Sequence, residues 1–232
     1  MALLNILPFA RFLLDQAVNE GDIAVDATVG NGHDTVYLAE RVGETGHVFG
    51  FDIQPEAITA ASARLAEHGL CGRATLFERS HSELLDTLPA AVHGRISGAV
   101  FNLGYLPGGN KQIATKPEST IKAVDQLLSI LKPGGVIVLV VYQGHPEGKR
   151  ERDALLDYVR SLDQRRIHVL KYEFINRQNN PPFLLALETR ADQAPEWIEP
   201  SPFLPIQANG CPYEKDSRFC RSCQKRYAFP FQ

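Results

Sequence analysis

The sequence predicts an α/β fold: a seven-stranded, mostly parallel sheet with helices on both faces, closed by an antiparallel hairpin. Three observations predict it. Strand-like and helix-like runs alternate along most of the chain, and strand followed by helix, repeated, builds a parallel sheet covered on both sides. The last two strand-like runs have no helix between them; Asn176-Arg-Gln-Asn-Asn-Pro-Pro182 reads as a turn-rich hairpin loop. Finally, Asp26-Ala-Thr-Val-Gly-Asn-Gly-His-Asp-Thr35 sets glycines between a strand-like and a helix-like run, where the backbone can approach a ligand.

Each element follows from its local pattern. Pro8 followed by Leu13, Leu14, Ala17 and Val18 predicts an amphipathic first helix over 8–19. Strands are expected at 22–27, 46–52, 73–78, 97–102, 135–142, 166–175 and 183–189. Helices are expected at 33–42, 55–68, 115–131 and 148–161, with Glu83 near the start of a short one. Gly43, Gly46, Gly69, Gly72, Pro89, Gly134 and Gly135 punctuate these runs. Thr115-Lys-Pro-Glu118 fits a capping box, with Thr115 as N-cap. Asp34 fits an N-terminal cap of the helix from residue 33.

The chain of 232 residues, with 44% apolar and 22% charged residues, suits one globular domain with a core of its own. The apolar start lacks a charged leader and a cleavage-site pattern, and no apolar run reaches membrane-spanning length, so a cytoplasmic location and no membrane are expected. The net charge of −3 is divided unevenly. Residues 1–100 carry 6 Lys/Arg against 13 Asp/Glu, and residues 101–232 carry 18 against 14. Screening confines each charge to about 10 Å, so the second half can present a basic face to a polyanion.

The glycine loop decides the cofactor class. It holds Gly30-Asn31-Gly32 and then His33-Asp34, without the third glycine of a dinucleotide fingerprint. Asp52 follows 26 positions after Asp26 at the end of the second strand, where an acid can grip ribose hydroxyls, and Gln54 lies just beyond. Ser80 and His81 follow the third strand, where an adenine would lie. S-adenosylmethionine needs such a ribose acid and backbone contact near its amino-acid part, and it has no pyrophosphate. The expected cofactor-binding residues are therefore Asp26, Gly30, Asn31, Gly32, His33, Asp52, Gln54, Ser80 and His81. With the closing hairpin, this points to a Rossmann-like class I methyltransferase sheet.

The glycine loop, Gly50-Phe-Asp-Ile-Gln54, Asn102-Leu-Gly-Tyr-Leu-Pro-Gly-Gly109, Tyr142-Gln-Gly-His-Pro-Glu-Gly148 and the hairpin loop together resemble one family over residues 1–190. It is the bacterial tRNA (mnm5s2U) biosynthesis methyltransferase family, formerly the "putative rRNA methylase" family. The resemblance implies methylation of the aminomethyl group of 5-aminomethyl-2-thiouridine at the tRNA wobble position, with S-adenosylmethionine as donor. Asn102 to Tyr105 stands where amine-methylating enzymes of this fold carry an Asn-Pro-Pro-Tyr-like loop. An acceptor such as the Asn102 carbonyl can hold the amine's N–H groups and aim its lone pair. Tyr105 can stack on the base. His145 and Tyr142 are candidate proton acceptors, with Tyr142 also on the substrate side. Lys111, Lys149, Arg150 and Arg177 are expected on RNA phosphates. The expected partner is a tRNA anticodon stem-loop, and a homodimer is left open. The alternatives are transfer to rRNA or a small amine, and a non-catalytic cofactor-binding RNA module.

Residues 191–232 form an extension outside that resemblance: Pro195, Pro200, Pro202 and Pro205, then Cys211, Cys220 and Cys223 among basic and aromatic residues. Three cysteines without a histidine fall short of a four-ligand zinc site, and no metal is expected.

Overall fold

The structure, a computed structural model, describes residues 3–106, 108, 113–144 and 146–190. Among them are seven strands in one sheet, ordered β3-β2-β1-β4-β5-β7-β6. They are β1 (Ile23–Asp26), β2 (His47–Asp52), β3 (Ala74–Glu78), β4 (Ile96–Leu103), β5 (Leu131–Val141), β6 (Ile167–Tyr172) and β7 (Phe183–Thr189). All pairs are parallel except β5–β7 and β6–β7. The expected hairpin is present, and it inserts β7 between β5 and the edge strand β6.

Alternation along the strands splits the core into two layers. Ala99, Phe101 and Leu103 of β4 point to one face with Ile137, Leu139 and Val141 of β5 and Phe183, Leu185 and Leu187 of β7. Val100, Val138, Val140, Leu184 and Ala186 point to the other. Both layers are covered, which is why the inner strands read as unbroken apolar runs.

Helices cover the layers through stripes at helical spacing. In α1 (Ile6–Ala17), Ile6, Ala10, Leu14 and Ala17 are buried, and α1 lies so close to the sheet that a Cβ on Gly98 would meet Val18 at 2.6 Å. This helix begins two residues before the predicted start. Pro8 is tolerated in its first turn because those N–H groups have no intrahelical partner. α2 (His33–Arg41) and α3 (Pro55–Glu67) share this face, α3 through Ala57, Ala61 and Leu65. The short α4 (Leu84–Thr87), α5 (Pro117–Ile130) and α6 (Pro146–Ser161) cover the other.

The capping box expected at Thr115 is not formed. α5 begins at Pro117 after Lys116, which makes no side-chain cap. The Thr115 hydroxyl instead donates to Glu151 Oε2 at 2.6 Å and accepts from the Gly104 N–H at 3.0 Å. Asp34 is not a cap either: Gly32 stands at that position in α2, and Asp34 lies within the first turn. No helix among the described residues is long and apolar enough to cross a membrane.

Candidate active site

The sheet order reverses at β1, which has β2 on one side and β4 on the other. Loops leaving the two strands diverge there, and ligands of open α/β sheets bind in the crevice between them. The carboxyl ends of β1, β2 and β4 bring Asp26, Asp52 and Asn102 to that crevice.

Asp26 is 1% exposed, and its carboxylate is turned to the loop it begins. It accepts from the Thr28 N–H at 3.2 Å and from the Thr35 hydroxyl at 2.6 Å. Burial, then the charges of Asp34 and Asp52, push its carboxyl up to about 7 against those two hydrogen bonds. Asp26 therefore shapes the loop, spending its carboxylate on Thr28 and Thr35.

The loop backbone is held from both sides. Gly30 N–H donates to Asp52 Oδ2 at 2.9 Å, and the Gln54 N–H donates to Asp52 Oδ1 at 3.0 Å. Asn31 O accepts from Arg64 Nε at 2.8 Å. Gly32 has φ +77°, and a Cβ there would lie 2.7 Å from Ala61 Cα. It thus permits the close approach of α2 to α3. Each Asp52 oxygen retains a further lone pair, so a ribose diol can still bind the carboxylate. His33 is exposed at the first position of α2.

Ser80 and His81 both make hydrogen bonds within the fold. Ser80 Oγ caps its own 3-10 turn by accepting from the Ser82 N–H at 3.2 Å. The His81 ring is buried edge-on to Phe101, with Nδ1 3.0 Å from Ala27 O and Nε2 3.3 Å from Ser119 Oγ. Burial lowers its pKa, so the ring is a neutral brace between the β1 loop and α5. Both residues follow β3, at the carboxyl edge of the sheet, and their side chains spend these polar atoms on the fold.

Asn102 stands near the end of β4, on the candidate substrate side. Its N–H donates to Thr28 Oγ1 at 2.7 Å, and its Nδ2 donates to Asp34 Oδ2. Its Oδ1 is buried without a hydrogen-bond partner. Tyr105, 40% exposed, pairs as an isolated bridge with Ala114 and so closes the following loop at its base. The Thr115–Glu151 bond holds that base to α6, and Thr120 Oγ1 donates to the other Glu151 oxygen at 2.6 Å. Tyr142 follows β5 and is partly exposed, at 38%. Burial, and then the Asp34 charge, raise its phenol pKa, so it is a protonated donor at neutral pH rather than a base.

The candidate RNA contacts are spread along this edge. Lys149 and Arg150 are exposed on the first turns of α6. Arg177 stacks over Phe174 at 4.0 Å and donates to Asn5 Oδ1, lining an open hollow of about 510 Å³ with Gln143 and the hairpin loop. His145, Lys111 and residues 191–232 lie outside the described residues. Sequence reasoning missed Asp34, Thr28, Thr115 and Glu151 as site residues. Glu151 had a signal: it occupies an apolar stripe with Leu155 and Val159, where a carboxylate needs a reason to be buried.

Three carboxylates, Asp26, Asp34 and Asp52, surround one glycine loop. They oppose a pyrophosphate at the α2 N-terminus and suit a cationic ligand. The residues present therefore fit S-adenosylmethionine, with its sulfonium charge: Asp52 and Gln54 for the ribose side, and the Gly30–Gly32 backbone for the amino-acid side. Sheet and site together define the Rossmann-like class I methyltransferase fold.

Comparison with known proteins places the chain within that class. The family described as "Putative rRNA methylase" matches residues 48–188, and the chain belongs to it. A structure from Clostridium thermocellum, described as a "putative rRNA-methylase", is 38% identical with a TM-score of 0.78, covering 82% of this chain and 100% of that one. A "putative methyltransferase" from Streptococcus mutans, in complex with SAH, is 32% identical with a TM-score of 0.73, covering 81% of this chain and 99% of that one. A curated relative, the chloroplastic tRNA (mnm(5)s(2)U34)-methyltransferase of Arabidopsis thaliana, is 36% identical over 182 residues. The match takes in 74% of this chain and 65% of that protein's length.

Proposed function

We propose that residues 1–190 form an S-adenosylmethionine-dependent tRNA methyltransferase acting in the cytoplasm. Its target is the exocyclic aminomethyl group of 5-aminomethyl-2-thiouridine at the wobble position, and its product is 5-methylaminomethyl-2-thiouridine. The observation that carries the reading is the buried, unpartnered Oδ1 of Asn102 at the end of β4. A buried acceptor without a partner costs about 1–3 kcal/mol, and an amine N–H removes that cost. The Arabidopsis relative's name supplies the RNA and the position.

S-adenosylmethionine, when bound, supplies an electrophilic methyl. The chain's own groups do the rest. Asn102 Oδ1 holds an N–H of the amine and directs its lone pair, which is where positioning gains most of its rate. Tyr105 offers a stacking face for a base taken out of the anticodon loop, where unpaired bases leave the stack cheaply. The Tyr142 hydroxyl can donate to the base edge. Lys149, Arg150 and Arg177 are assigned to the phosphates of the anticodon stem-loop.

The test is mass spectrometry of anticodon stem-loops carrying 5-aminomethyl-2-thiouridine after incubation with the protein and S-adenosylmethionine. A gain of one methyl group at that nucleoside is expected, and Asn102→Ala should abolish most of it. Transfer only to rRNA or to free amines, or full activity in Asn102→Ala, would overturn the assignment. In a deletion strain, 5-aminomethyl-2-thiouridine should accumulate.

A further inference from the structure

Asp34 sits in the first turn of α2 with its carboxylate between two elements. One oxygen accepts from Asn102 Nδ2, and the other lies 3.4 Å from Arg11 Nη2 of α1. A carboxylate only accepts hydrogen bonds, so the Asn102 amide must turn its NH2 toward Asp34. That leaves Oδ1 as the group facing away, and Oδ1 is the buried atom without a partner. A free acceptor and an anion are thus held one amide group apart. A primary ammonium satisfies both: it donates to Oδ1 and balances the Asp34 charge. A hydroxyl supplies one donor and no charge.

An ammonium has no lone pair, so one proton must leave before a new bond to nitrogen can form. The other titratable groups facing this point are engaged or unsuited. Tyr142 keeps its own proton. Asp26 is sealed behind Thr28 and Thr35, and Asp52 is tied to Gly30 and Gln54. His81 is a buried brace with a lowered pKa. Arg11 is a permanent cation and cannot accept a proton. Among the described residues, Asp34 is the carboxylate that touches Asn102.

We propose that Asp34 selects a primary ammonium, fixes the Asn102 amide and accepts the proton that frees the amine's lone pair. This rests on the methyltransferase reading above. In the first step R–CH2–NH3+ gives its proton to Asp34, yielding R–CH2–NH2 and a neutral carboxyl. The nitrogen pair then forms the N–C bond while the donor's C–S bond breaks, its electron pair staying on sulfur. The product is a secondary ammonium, and Asp34 returns its proton to solvent through its partly exposed side.

The experiment compares wild type with Asp34→Asn, whose amide oxygen can still accept from Asn102 but carries no charge. Three readouts are taken on the full chain: S-adenosylhomocysteine affinity by calorimetry, fluorescence anisotropy with stem-loops bearing 5-aminomethyl- or 5-hydroxymethyluridine, and single-turnover methyl transfer against pH. The wild type should prefer the aminomethyl RNA by about ten-fold, as a charge-assisted contact predicts. Asp34→Asn should lose that preference. Its rate at pH 7 should fall about 100-fold and recover as pH rises toward the amine's own pKa. Its S-adenosylhomocysteine affinity should stay within about three-fold, because that thioether lacks the sulfonium charge an anion would attract and its ribose and amino-acid parts are assigned to Asp52, Gln54 and the Gly30–Gly32 backbone.

A variant that keeps the amine preference, or the wild-type rate at pH 7, overturns the proposal. So does a ten-fold or greater loss of S-adenosylhomocysteine affinity, which would assign Asp34 to the cofactor. If the wild type methylates neither RNA, the functional reading itself fails. The binding preference and its loss in Asp34→Asn would then still decide whether Asp34 selects the ammonium.

Discussion

Asp52 and Gly30 are 22 residues apart and are joined by one hydrogen bond, the Gly30 N–H donating to Asp52 Oδ2 at 2.9 Å. The same carboxylate takes the Gln54 N–H, so one acid sets two loops against each other. Asp52→Ala removes two charge-assisted bonds, each worth about 1.5–3 kcal/mol, together with the carboxylate proposed to anchor the ribose. The expected result is a loss of S-adenosylhomocysteine affinity of at least about ten-fold by calorimetry. Asp52→Asn should lose less, because one amide oxygen can still accept.

Asp26 predicts a pH dependence of stability. An unfolded aspartate has a carboxyl near 3.8, and burial raises this one to about 7. Between those values the native chain holds a proton that the unfolded chain has released. Its contribution is therefore fully present below pH 3.8, falls as pH rises through the window, and is gone above about 7. Asp26→Asn carries no such charge. Urea unfolding of the two proteins at pH 5, 6, 7 and 8 should show wild type losing ground to the variant by roughly 1 kcal/mol per pH unit up to 7. A constant difference between them would contradict the burial argument.

Gly32→Ala tests the close approach of α2 to α3. The new methyl carbon would lie 2.7 Å from Ala61 Cα on a backbone with φ +77°, so neither packing nor conformation can absorb it. Overpacking and left-handed strain together predict a loss of about 2–4 kcal/mol in denaturant titration. Gly69→Ala shares the positive φ of +70° but meets no atom within 4 Å, and should lose only about 1–2 kcal/mol.

Thr115→Val tests the clamp beneath the substrate loop. It removes the hydroxyl shared by Gly104 N–H and Glu151, while Thr120 still holds the other Glu151 oxygen. The expected pattern is a methyl-transfer rate lowered about ten-fold through misplacement of Asn102 to Tyr105, with S-adenosylhomocysteine affinity unchanged. Equal losses in both would mean that the clamp supports the whole sheet edge rather than this loop.

Much of the scaffold was legible because it is encoded locally. The apolar runs of β4 and β5, the stripe Ala57, Ala61 and Leu65, and the glycines at 30 and 32 state their structure within a few residues. The hairpin loop at 176–182 announced the antiparallel close in the same way. The site was less legible for the same reason. Asp34 had a plausible local use as a helix cap, and Thr115 with Glu118 matched a capping box, yet both polar groups found distant partners instead. Ser80 and His81 follow the third strand as expected, but the direction of their side chains was set by Ser82, Ala27 and Ser119.

The sequence by itself determined the α/β alternation, the glycine loop at the first strand end, the acid at the second and the asparagine at the fourth. These depend on side-chain period and backbone freedom, which consecutive residues carry. Tertiary structure alone decided that Asn102 would meet Asp34, 68 positions away, and keep one acceptor open. That contact exists because β1 and β4 pair side by side and α2 starts above them, and no local pattern states which polar atoms such a pairing will leave for a ligand.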